Sequence, residues 1–218
     1  MNDSLLPKRF LFRFSAPCHY HQPLWTAKGA KLGARYRLPN FAELEERANA
    51  ADLRAAWSEE GIAFSLKVEG KKQPPWCRES RLEDSDGLHL FVDTRDVHNV
   101  HRASRFCHHF LFLPSGGGDQ GDTPIAQAMP IARARENPRP IETGQLHVRS
   151  EKRINGYVLD AMIDAEALTG FDPGEHPRLG FTFALIDREL GEQTFSVGGP
   201  MPYQSDPSLW ATLELVKS

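Results

Sequence analysis

An all-β chain, folded as a two-sheet antiparallel β-sandwich of jelly-roll type with one or two short helices, follows from three observations. Short apolar segments alternate with period two, 17 glycines and 16 prolines punctuate the chain at close intervals, and 13 phenylalanines fall largely inside the alternating segments. Gly and Pro break elements at turns, whereas aromatic and β-branched side chains fit a pleated, half-buried surface. With 218 residues, the chain is long enough for a substantial core and is expected to form a single domain, residues 1–218.

The first expected strand is residues 9–15, where Phe10, Phe12 and Phe14 alternate with Arg9, Leu11 and Arg13. Residues 40–51 are rich in helix formers and read as a helix with a narrow apolar stripe at Phe41 and Leu44. Strands are then expected at 53–57, 62–69, 87–93 and 105–113, each an apolar run bounded by polar or glycine-bearing turns. Residues 114–142, with their clustered Gly and Pro, read as a long surface loop. Strands follow at 157–163, 178–187, 193–197 and 210–216, with a short helical turn at 164–168 that Asp164 can cap.

Charge and cysteine usage narrow the partners. The 26 Lys and Arg against 29 Asp and Glu give a net charge of −3 without a long basic block, which argues against a nucleic-acid partner. No apolar run reaches membrane-spanning length, so no membrane partner is expected. Cys18, Cys77 and Cys107 cannot all pair within the chain, and the N-terminal stretch, interrupted by Lys8, Arg9 and Arg13, does not read as a secretory leader. A cytoplasmic location with reduced thiols is the resulting expectation.

The segment 76–113 carries the densest chemistry. Pairing 87–93 with 105–113 as antiparallel neighbours puts His89, Phe91 and Asp93 on one face with Arg105, Cys107, His109 and Leu111. Leu88, Leu90 and Val92 then share the opposite, better core face with Phe106, His108, Phe110 and Phe112. Imidazole and thiolate at this spacing make Cys107, His89 and His109 an alternative divalent-metal set, with His98 and His101 as further donors. Asp84, Asp86, Asp93 and Asp96 could offer oxygens to calcium, although turn and capping roles fit their spacing better than an EF-hand does. Cys107 beside His108 and His109 lacks a catalytic signature, because adjacent strand residues face opposite ways, and no serine stands in a GxSxG context. No enzymatic role and no resident cofactor are expected. Trp57 and Trp210 read as core. Trp76, after Pro74 and Pro75 in a charged loop, can present an apolar ring to a sugar or plug the end of the sandwich. Arg95, Arg102 and Arg105 either bind an anion or pair with Asp93 and Asp96.

The order of four stretches, AAWSEEGIAFSLKVEG at 55–70, DSDGLHLFVDTRD at 84–96, NGYVLDAMIDAEAL at 155–168 and PRLGFTFALIDRE with the later DPSLWATLEL, resembles the family 9 carbohydrate-binding modules within the DOMON-like sandwiches. The resemblance implies a carbohydrate ligand held on a sheet face by aromatic stacking and polar hydrogen bonds. It places Trp76 in a loop that supplies one ring, His89 where an acidic sugar-binding residue is often found, Arg105 and His109 on the following strand, and Phe195 near the segment of a second ring. Among DOMON-like sandwiches it also allows a haem carrier, with His89, His108, His109 and Met129 as candidate ligands. A third alternative is a protein-interaction module that uses the 114–142 loop.

Overall fold

A computed structural model describes residues 10, 12–40, 49–199 and 201–217. It contains eleven strands: β1 (Ser15–Tyr20), β2 (Ala51–Ser58), β3 (Gly61–Glu69), β4 (Gly87–Asp93), β5 (Cys107–Gly117), β6 (Thr123–Met129), β7 (Leu146–Arg153), β8 (Gly156–Asp164), β9 (Arg178–Asp187), β10 (Gly191–Thr194) and β11 (Ala211–Val216). They form one mixed sheet in the order β6-β5-β4-β9-β11-β1-β2-β3-β8-β7, with β10 added to β9. The end strands β6 and β7 run beside one another, so the sheet folds over into a nearly closed, jelly-roll-like sandwich. The expected all-β sandwich is therefore present.

One detail departs from an all-antiparallel arrangement: β1 lies parallel to both of its neighbours, β11 and β2. Parallel pairing requires a long crossover. The connection from β1 to β2 supplies it and contributes Leu24, Leu32 and Tyr36, which bury Ala56, Ala63 and Met162 on the outer face of β2, β3 and β8.

Between the two layers, alternate residues of every long strand meet in the main core. Phe64 stacks on Phe181 there, centroids 5.8 Å apart and planes 8° from parallel. A second cluster covers the outside of β4, β5 and β9, where Phe91, Cys107 and Ala184 pack under Ile131, Val197, Tyr203 and Trp210. With protein on both sides, all seven residues of β4 are buried, which explains its almost continuous apolar run. Glycine closes both ends of the β3–β8 pairing. A Cβ on Gly61 (φ +142°) would lie 2.1 Å from the Ile163 carbonyl, and one on Gly156 (φ +158°) would lie 1.9 Å from that of Val68.

Several boundaries differ from expectation. Residues 12–14 are not strand, and pairing starts at Ser15 because Ala16 and Cys18 are the first side chains to reach the core. The expected helix at 40–51 falls mostly on residues 41–48, outside the described residues, and Ala51 already belongs to β2. The 114–142 stretch is not loop throughout: β6 pairs along β5 across it, after a register shift between Leu113 and Gly117. β6 and β7 escaped detection because both lie at the open ends of the sheet, where half-buried positions leave no clean alternation. The turn at Ala165–Ala167 is a short 3-10 turn, as expected, but Asp164 does not cap it with its side chain, which meets His147 instead.

Candidate site: a pinned tryptophan and a histidine pair

The β4–β5 register follows the expected pairing, with Phe91 opposite His109 and His89 opposite Leu111. His89 and His109 therefore project from the same outer face as diagonal neighbours. Their rings stack with centroids 5.2 Å apart, and His89 Nδ1 lies 2.9 Å from His109 Nε2. Phe91 lies flat against His109 at 4.2 Å. Burial pushes the His89 imidazole down to about 4 and that of His109 to about 3, the latter lowered further by its neighbour, so both are neutral near pH 7.

Each neutral ring keeps one proton, so one imidazole donates and the other accepts across the 2.9 Å contact. His89 Nε2 is buried and without a partner, and His89 is only 5% exposed, so that atom faces no open surface.

Trp76 is placed by a carboxylate. Asp86 accepts hydrogen bonds from the backbone N–H of Trp76 through Oδ2 and of Arg188 through Oδ1, both at 2.9 Å, and the Asp86 N–H returns one to the Trp76 carbonyl. Arg188 thereby stands over the half-buried indole, its guanidinium carbon 3.3 Å from the ring centroid, with Arg78 at 5.2 Å. Beneath this loop Lys71 Nζ lies 2.5 Å from Asp187 and 3.4 Å from Asp86, all three side chains being at most 2% exposed. Asp187 also caps the β9–β10 turn through the N–H groups of Glu189 and Leu190. The Tyr157 hydroxyl is buried without a hydrogen-bond partner, and burial together with the negative field of Asp187 drives its pKa far up.

Not all of the expected site residues come together. β4 runs from the Trp76 end, at Gly87, to Asp93, which pairs with Cys107 near Arg105. Six strand steps of about 3.3 Å separate the two ends by about 20 Å, so Arg105 does not share a ligand with Trp76. Phe195 is 1% exposed and packs in the main core against Phe14, Phe181 and Phe183, so its ring offers no free face.

The metal set does not assemble. Cys107 lies two pairs beyond His109, opposite Asp93, buried among apolar side chains, and its pKa is pushed up to about 12 by burial. Among the described residues no three His, Cys, Asp or Glu side chains gather as metal ligands. The haem set is split by strand alternation, since His108 faces the opposite side and stacks on Phe110. The acidic residues serve local structure. Asp93 accepts the N–H groups of Arg95 and Val97, while Asp96 meets Arg178, His98 and Thr212. A serine, a histidine and an aspartate do meet at Ser208, His101 and Asp206, but both oxygen partners address the same nitrogen, Nδ1 of His101. A base so placed cannot be oriented by one partner while activating the other.

Lys71, Asp187 and Arg188 were not singled out by sequence reasoning. The acidic turn DSDG before β4 was the available signal for Asp86, yet its partners lie more than a hundred residues away on β9 and its turn.

The chain matches no protein-family model and no curated protein sequence. Its fold is similar to that of a family 9 carbohydrate-binding module from Caldicellulosiruptor kristjanssonii solved with cellotriose, at 11% identity and TM-score 0.59 over 94% of each chain. The glucose complex of a family 9 module from that organism gives 12% identity and TM-score 0.59, over 94% of this chain and 96% of the other. The fold is thus the one the sequence resemblance implied. These matches, to modules solved with cellotriose and glucose, count against the cytoplasmic expectation. The expectation rested on unpaired cysteines, but Cys18 and Cys107 are buried on different parts of the sheet and are no guide to compartment. No helix among the described residues is long and apolar enough to cross a membrane.

Proposed function

We propose that the protein is a non-catalytic carbohydrate-binding module, a single domain in which Trp76 stacks on a sugar ring. The observation that carries this reading is the half-buried Trp76 indole, anchored through its backbone by Asp86 and oriented by Arg188. An indole fixed in this way loses little conformational freedom on meeting a sugar, and its apolar ring suits the C–H face of a pyranose. His89, which the resemblance puts where an acid contacts sugar, is 5% exposed with its Nε2 buried, and it takes no part in the proposed contact. The likeness to modules solved with cellotriose and glucose supports the same ligand class.

A binding role fits the chemistry better than catalysis. Burial raises the pKa of the Cys18, Cys77 and Cys107 thiols, which disfavours thiolate nucleophiles, and the Ser208 arrangement lacks a free base. Calorimetry with cellotriose and glucose tests the proposal. Measurable binding by the wild-type protein, weakened about tenfold to a hundredfold in Trp76→Ala, is the expected result. No heat with a panel of soluble oligosaccharides, or an unchanged affinity in the variant, would overturn it.

A further inference from the structure

Resting on the carbohydrate-binding reading, we infer that the protein has a second binding surface, remote from Trp76, which takes a carboxylate-bearing polysaccharide on a cluster of six arginines. Arg95, Arg102, Arg105, Arg133, Arg135 and Arg139 come from three separate stretches of chain. The structure knits those stretches together at the Asp93 end of β4. Arg102 Nε donates to the Arg133 carbonyl at 2.9 Å, and the Arg135 N–H donates to the Ala103 carbonyl at 2.7 Å. Arg95 and Arg105 both lie against the Phe106 ring, at 4.3 and 5.0 Å, and Arg95 also donates to the Gly170 carbonyl. Next to Gly170, the Thr169 hydroxyl accepts the N–H of Arg139 at 3.1 Å.

These side chains do not neutralise one another's field with acids. Among the described residues none of the six guanidinium groups forms an ion pair, and five of the six residues are exposed. Asp93 and Asp96, the partners expected for Arg95, Arg102 and Arg105, are already engaged, the first by backbone N–H groups and the second by Arg178, His98 and Thr212. Glu136 is the single carboxylate within residues 94–95, 102–106, 133–139 and 169–170. In a chain of net charge −3, such a concentration of unpaired cations is a local feature. Holding like charges together costs stability, and a polyanion repays that cost on binding.

Guanidinium groups select the class of anion. Their planar forks match carboxylates bidentately, and a uronic acid polymer repeats that group along its length. A nucleic acid fits less well, because Phe106 is the one aromatic ring within residues 94–95, 102–106, 133–139 and 169–170, whereas a single strand is held on several rings that stack successive bases.

Affinity electrophoresis in gels containing polygalacturonate tests the inference on the full chain, with neutral cellohexaose and a twenty-nucleotide single-stranded DNA as competitors. Retardation of the wild type by polygalacturonate, weakened as salt is raised, is expected. It should persist in Trp76→Ala and fall at least tenfold in the triple variant Arg102→Gln, Arg105→Gln, Arg133→Gln. These three side chains are exposed, so the melting temperature should stay within a few degrees of wild type, and cellotriose binding by the triple variant should be unchanged. A wild type that is not retarded at low salt, retardation that survives in the triple variant, or stronger competition by the oligonucleotide than by free polygalacturonate would each overturn the inference. Failure of the Trp76 proposal would instead appear as absent cellotriose binding while retardation by polygalacturonate persists.

Discussion

The guanidinium carbon of Arg188 lies 3.3 Å from the centre of the Trp76 ring, and one buried carboxylate, Asp86, holds the backbone of both residues. The ring's position is therefore set by a residue 102 positions away in sequence from Asp86 rather than by its own loop. A cation at this distance is attracted by the ring quadrupole and also shields one indole face from water.

Arg188→Ala should free that face. Acrylamide quenching of tryptophan fluorescence should increase relative to wild type, and affinity for cellotriose should fall severalfold, less than in Trp76→Ala, because the ring remains but is less well positioned. Unchanged quenching would show that Arg188 does not cover the ring in solution.

Lys71→Met should be strongly destabilising. The ammonium compensates two buried carboxylates, Asp187 at 2.5 Å and Asp86 at 3.4 Å, and removing one partner of a buried ion group costs about 3–5 kcal/mol. Urea denaturation followed by circular dichroism measures the loss. Sugar affinity at temperatures where the variant stays folded should also drop, since Asp86 anchors Trp76.

Tyr157→Phe has the opposite sign. The buried hydroxyl has no hydrogen-bond partner, so its desolvation is uncompensated. Deleting it should leave stability unchanged or raise it by about 1 kcal/mol in the same urea assay. A clear loss of stability would mean that the hydroxyl is satisfied, for example by a trapped water.

Stability should decline as the pH falls from about 6.5 toward 4. His89 and His108 are pushed down to about 4 and His109 to about 3, mainly by burial. The unfolded chain therefore binds protons first as pH drops below the ordinary histidine value, which favours unfolding, and the loss levels off near the folded values. Asp93 and Asp160, whose pKa values burial raises, work in the opposite direction at lower pH. His108→Phe isolates the histidine contribution. His108 makes no side-chain hydrogen bond and stacks on Phe110, so the variant should show a shallower fall of urea midpoint between pH 6.5 and 4.

The all-β class, the strands β3, β4, β8 and β9 almost to the residue, and the facing of His89 with His109 were determined by the sequence itself. The strands rest on apolar runs bounded by turn residues and the facing of the histidines on the two-residue period of a strand, properties of neighbouring residues that survive without knowledge of the partner strand. The tertiary structure alone decided that β1 runs parallel to its neighbours, that β6 continues the sheet within 114–142, and that a second apolar layer seals the outside of β4. It also turned Phe195 into the core, separated Arg105 from Trp76, and gathered arginines from three stretches onto one end of the sandwich. Those outcomes depend on which distant segments pack together, and side-chain type leaves that choice open: a phenylalanine or an arginine is equally at home on a free face or a covered one until the covering segment is in place.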